Sequence, residues 1–122
     1  MRLLYWLRRL FGLLPPARWE DGVVVQDPLY EQVYAKTVEW VRVVSPESVQ
    51  SPEFRLTVRL YDRFPPECAY TLGKVLAPHT IPGDTGGTLC LLRQTRHDMA
   101  LIVHECKHAV TGIPSHPAWL FN

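Results

Sequence analysis

The chain has 122 residues, 47% of them apolar, with 13 basic and 12 acidic side chains and a net charge of +1. That length supports one core and one domain, and the apolar content excludes a disordered chain. Near-neutral charge excludes the basic excess on which nucleic-acid binding depends, so no nucleic-acid partner is expected.

Met1 to Leu14 reads as a short apolar helix, interrupted by Arg8-Arg9 and stopped by Pro15-Pro16. Residues 1–16 are taken as this N-terminal element and 17–122 as the domain. As a helix the apolar stretch rises about 21 Å, too little for a hydrocarbon core of about 30 Å, so no transmembrane span is expected. A secretory signal fits poorly, because the double arginine splits the apolar region and no small-x-small cleavage site follows. The stretch is better suited to packing on its own domain or to docking on a protein partner or membrane surface.

Gly22-Val23-Val24-Val25 has the composition of a short strand. Asp27-Pro28 reads as N-cap and first residue of a helix reaching about Val43, with Leu29, Tyr30, Val33, Tyr34, Val38, Trp40 and Val41 on its apolar face. After a proline-containing loop, Phe54 to Tyr61 alternates strictly. Phe54, Leu56, Val58 and Leu60 fall on one side, and Arg55, Thr57, Arg59 and Tyr61 on a side expected to meet water. Tyr70 to Leu76 and Thr88 to Leu92 read as two further strands, joined by a turn at Gly83-Asp84-Thr85-Gly86-Gly87. That turn lacks the lysine and following helix of a phosphate-binding loop.

The last strand feeds a helix. Gln94-Thr95-Arg96-His97-Asp98 resembles a helix start, with Thr95 as N-cap and Asp98 as the capping-box acid. Met99, Ile102, Val103, Cys106, Ala109 and Val110 recur at helical spacing, Gly112 suits a left-handed terminator, and Pro114 forbids continuation. Within this helix stands His104-Glu105-Cys106-Lys107-His108. Histidines four apart share a helix face and can reach one ion, while Glu105 lies beside that ion, placed to take a proton from water. Cys106 turns into the apolar stripe, which suits a core thiol. With Cys68 and Cys90 it makes an odd number of cysteines without paired spacing, which points to a reducing compartment.

A catalytic zinc usually takes a third protein ligand. No acidic side chain occurs between Cys106 and Asn122, which leaves His116 as the downstream candidate. The four residues from Gly112 can span about 13 Å, enough for a reversal to return His116 to the metal. His79, Asp84 and His97 are the alternatives; His97 is the best of them, since His97, Leu101, His104 and His108 would follow one helical face.

The run from His104 to Pro117 resembles the active-site segment of zincin metallopeptidases. It is most similar to small zincin-like proteins of phages and prophages, in which H-E-x-x-H is followed by a glycine turn and His-Pro. The resemblance covers residues 95–117 closely, and upstream only the order of elements agrees. It departs from metzincins in the later position of the third histidine and the lack of a Met-turn. The resemblance implies zinc held by His104, His108 and His116, Glu105 as general base, and a peptide or protein substrate pairing with an edge strand, either Thr88 to Leu92 or Tyr70 to Leu76. The fold class expected is α+β, a small zincin-like domain with a mainly antiparallel sheet of three to four strands packed on a long helix and the H-E-x-x-H helix. The function expected is zinc-dependent hydrolysis of a peptide or amide bond, with His97, Arg96 or Tyr70 available to stabilise the oxyanion. The alternative is a non-catalytic assembly protein of the same fold, such as a phage virion component. Its location would be cytoplasmic, or in the virion if phage-encoded.

Overall fold

The computed structural model describes residues 15–50 and 55–122. The expected helix over 1–14 and the start of the alternating strand at Phe54 lie outside the described residues. The elements follow in the order β1 (Val23–Val25), α1 (Pro28–Val44), β2 (Leu56–Tyr61), β3 (Gly73–Leu76), β4 (Gly87–Leu92), α2 (Met99–Thr111) and the single turn α3 (Ala118–Phe121). Among the described residues, no helix is long and apolar enough to cross a membrane.

The fold is α+β, and its sheet is mixed. Strand order is β1-β2-β4-β3, with β1 antiparallel to β2, β2 parallel to β4, and β3 antiparallel to β4. Two of the three pairings are antiparallel, as expected, and the parallel central pair makes the sheet mixed. The reason lies in strand composition. Thr88-Leu89-Cys90-Leu91 is buried throughout and needs neighbours on both edges, so β4 inserts between β2 and β3. β3 is short, starts at Gly73 and carries exposed Lys74, features that suit an edge. It begins three residues later than the sequence suggests, because Tyr70 and Leu72 are exposed and Thr71 closes a turn on Cys68.

The helices lie on one face of the sheet. Val58, Leu60, Leu89 and Leu91 pack there against Tyr30 and Val33 of α1 and Ile102 and Cys106 of α2. Asp27 caps α1 by accepting from the Leu29 amide at 2.9 Å, and Pro28 opens the helix as expected. Trp40, assigned by periodicity to the apolar face, is 38% exposed at its edge.

The opposite face of β2 is covered at Arg59 and Tyr61, contrary to expectation, while Arg55 is exposed and Thr57 half-buried. Tyr61 joins Phe64, Leu76, Ile81 and Cys90 in a second apolar cluster, and Trp19 packs on it edge-to-face with Tyr61. The Tyr61 hydroxyl donates to the Trp19 carbonyl at 2.7 Å. Arg59 makes a two-pronged ion pair with Asp84, at 2.9 and 2.6 Å, and also donates to the Gly22 carbonyl. Their side chains are only 14% and 4% exposed, and Thr88 donates to the same carboxylate. The loop that looked like a simple strand connection thus supplies the counter-ion for a buried arginine. Gly86 in that loop has φ of 69° and lies so close to the Arg55 carbonyl that a Cβ could not fit.

The Arg59 guanidinium, then Thr88, holds the Asp84 carboxyl below the usual aspartate range against the opposing effect of burial. A depressed carboxyl stabilises the fold fully above its unfolded pKa of about 3.9, and that contribution disappears as pH falls through the lower folded value. Asp84→Asn leaves Arg59 buried without a counter-charge and is expected to cost about 3 kcal/mol at neutral pH. Urea denaturation of both proteins between neutral pH and pH 3 checks this: the gap should be full at neutral pH and shrink in acid.

Candidate metal centre

The helix that carries the two histidines begins later than its sequence suggests. Arg93–Thr95 forms a 3-10 turn, in which the Thr95 hydroxyl donates back to the Leu92 carbonyl. The N-cap is Asp98, whose carboxylate accepts from the Leu101 amide at 3.1 Å. Thr95 is therefore not the cap, and His97 precedes the helix instead of sharing its face. Tyr30 fixes this entry from α1 by donating to the Arg96 carbonyl at 2.8 Å.

The other end of α2 builds the site. Gly112 takes the left-handed conformation, φ 68° and ψ 8°, and its amide closes on the His108 carbonyl at 2.8 Å. A Cβ there would also collide with the side-chain amide of Gln50. The reversal brings the Ile113 carbonyl to 2.7 Å from Nδ1 of His108. A carbonyl can only accept, so the ring proton sits on Nδ1 and the Nε2 lone pair is free to bind a cation. Four residues past Gly112, His116 returns to the helix. Its Nε2 and that of His104 each lie 3.2 Å from Nε2 of His108, and one ring nitrogen from each histidine falls within 4.8 Å of the others.

The two 3.2 Å separations match a small tetrahedral ion. Zinc–nitrogen bonds of about 2.0–2.1 Å place neighbouring nitrogens about 3.3 Å apart. Burial lowers the His104 pKa, and the positive charge of His108, His116 and Lys107 lowers it further, so its ring favours the neutral form that ligation requires. The three residues whose nitrogens converge are those singled out from the sequence. Among the alternatives for the third position, Asp84 is committed to Arg59, and His79 and His97 are exposed outside the group.

Glu105 stands beside the imidazoles and is not part of the converging set. It is 7% exposed, wedged where β3 crosses α2: a Cβ added to Gly73 would sit 3.0 Å from Glu105 Cγ and 3.2 Å from Leu101 Cδ1. Burial pushes its carboxyl up to about 7, against the opposing pull of Lys74 and His116. Glu105 and the three histidines line a cleft of about 480 Å³, together with Gly73 to Pro78 along β3. Tyr70, Arg96 and His97 do not line it: Tyr70 is fully exposed, and the Arg96 guanidinium folds back onto the Arg93 carbonyl. Gln50 and Thr71 do reach the cleft, although no sequence pattern distinguishes them from ordinary loop residues. Cys106 is wholly buried in the core, and burial pushes its thiol up to about 12.

No family model matches the chain, and neither does any curated protein or solved structure.

Replacing Gly112 tests the reversal on which the triad depends. Gly112→Ala carries a left-handed penalty of about 1–2 kcal/mol, because an L side chain is strained at that φ. Thermal denaturation should show the loss, and zinc affinity should fall with it because His116 is displaced. A protein as stable and as zinc-competent as wild type would argue that the turn is not what sets the site.

Proposed function

We propose that the protein is a zinc-dependent hydrolase acting on a peptide or amide bond. The observation that carries this reading is the convergence of three imidazole nitrogens, at spacings suited to zinc, on a cleft that also holds a buried carboxylate. Three neutral nitrogens are the donor set of a catalytic zinc site with a position left for water. A bound zinc ion would supply the Lewis acidity that makes water a nucleophile near neutral pH.

The chain's own residues supply the rest. His108 is locked in the ligating tautomer by Ile113, and His116 is delivered by the Gly112 turn. Glu105 is the proton acceptor: its carboxylate oxygen would take a proton from the attacking water and later give it to the leaving nitrogen. A base works best when its pKa lies near the operating pH, and burial brings Glu105 to about 7. A cation nearby would pull that value down and keep the carboxylate ionised at neutral pH. β3 lies at the sheet edge along the cleft, so an extended peptide could pair with its free backbone groups. β4 cannot serve in this way, because β2 and β3 already pair with both its edges.

Zinc content of purified protein, measured beside His108→Ala and Glu105→Gln, tests the proposal. Wild type should hold one zinc per chain and hydrolyse unstructured peptides, and His108→Ala should lose both properties. Glu105→Gln should keep the metal and lose at least about a hundredfold in rate, the lower range for removing a general base. Undiminished turnover in that variant would refute the mechanism, and zinc without any hydrolysis by wild type would point to a metal-stabilised assembly protein.

Zinc affinity should also fall as the solution is made acidic, because a protonated imidazole loses the lone pair it offers to the metal. Titration with a zinc-competing chelator across pH 5 to 8 checks the sign; an affinity that rises in acid would contradict imidazole ligation.

A further inference from the structure

We infer that Phe121 is a positioning residue for the metal centre: its ring holds the three imidazoles in register before the ion arrives. The inference rests on the reading of His104, His108 and His116 as ligands. The centroid of the Phe121 ring lies 4.7 Å from those of His104 and His108 and 5.0 Å from that of His116. One phenyl group thus touches every member of the triad, within the range at which aromatic rings interact favourably. Phe121 is absent from the lining of the cleft, so it supports the histidines without occupying the approach to Glu105.

Phe121 is itself held on two sides. The preceding residue, Leu120, is completely buried with Val41 and Val110, which ties the short α3 to both long helices. Burial of one leucine contributes about 2 kcal/mol, and a single helical turn has no stability of its own without such packing. Lys107, within the histidine motif, places Nζ 5.7 Å from the centre of the Phe121 ring and 4.9 Å from that of Trp40. Both distances allow a cation to be attracted by a ring face. The chain therefore links α1, the motif helix and the C-terminal turn through one aromatic ring that abuts all three candidate ligands.

The physical consequence is pre-organisation. To bind one cation, the Nε2 atoms of His104 and His116, each 3.2 Å from that of His108, must offer lone pairs at the same time, and nothing in the imidazoles themselves holds that arrangement before the cation arrives. A ring wedged against all three limits their rotation, so less ordering remains to be done on binding. Partners that orient metal ligands from the second layer typically change metal affinity about 10- to 100-fold when removed.

The test is zinc affinity by chelator competition, with Co²⁺ absorption as a probe of coordination geometry, for wild type, Phe121→Ala, Phe121→Leu and Phe121→Tyr. Phe121→Tyr keeps the ring and should bind as wild type does. Phe121→Ala should bind about 10- to 100-fold more weakly. Phe121→Leu fills the same apolar space without a flat ring; it should melt near wild type, yet bind zinc more weakly and give an altered Co²⁺ spectrum. Should the alanine variant fail to fold, the leucine variant decides alone. Wild-type affinity and an unchanged spectrum in Phe121→Leu would overturn the inference while leaving the metal site intact. Failure of the wild-type protein itself to bind zinc would remove the site reading and this inference together.

Discussion

The left-handed residue at the end of α2 is the constraint on which the candidate site depends. Two histidines on adjacent turns of a helix come together in any folded state that keeps the helix. The third cannot arrive unless the chain reverses immediately after the last turn, and Gly112 makes that reversal at φ 68°. The same turn has a second effect. It delivers the Ile113 carbonyl to His108 and so sets which ring nitrogen carries the proton. Geometry and tautomer thus follow from one backbone conformation.

The sheet contributes through its strand order. With β4 between β2 and β3, the edge strand is carried across α2 so closely that a Cβ on its first residue, Gly73, would press on Glu105 Cγ at 3.0 Å. β3 shields most of Glu105 from solvent, and that burial raises its pKa toward neutrality. The polar pair Arg59–Asp84 and the aromatic cluster around Tyr61 lie on the far face. They hold the sheet and the β3–β4 loop, so their effect on the site runs through the position of β3.

Much of the centre was legible in the chain, because its signals are local. A four-residue histidine spacing on an apolar-periodic segment, with glycine and proline just beyond, specifies face, terminus and reversal from neighbours in sequence. What stayed hidden depends on distant residues. Nothing near Arg59 reveals that its counter-ion lies 25 positions away, so the alternating strand looked solvated on one side. The parallel central pair follows from a competition among strands for neighbours, which hydrophobic alternation does not encode. Asp98 and Thr95 both make acceptable caps, and a 3-10 turn after β4 decides between them. Phe121 carries no chemical signature at all; only folding places it against the triad.

Anomalous diffraction from zinc-soaked crystals, recorded at the zinc absorption edge, tests the central claim most directly. The account predicts one strong peak about 2.0–2.1 Å from Nε2 of His104, His108 and His116, with its remaining side facing the cleft beside Glu105. A peak elsewhere, or three imidazoles that remain without zinc at saturating concentration, would contradict it.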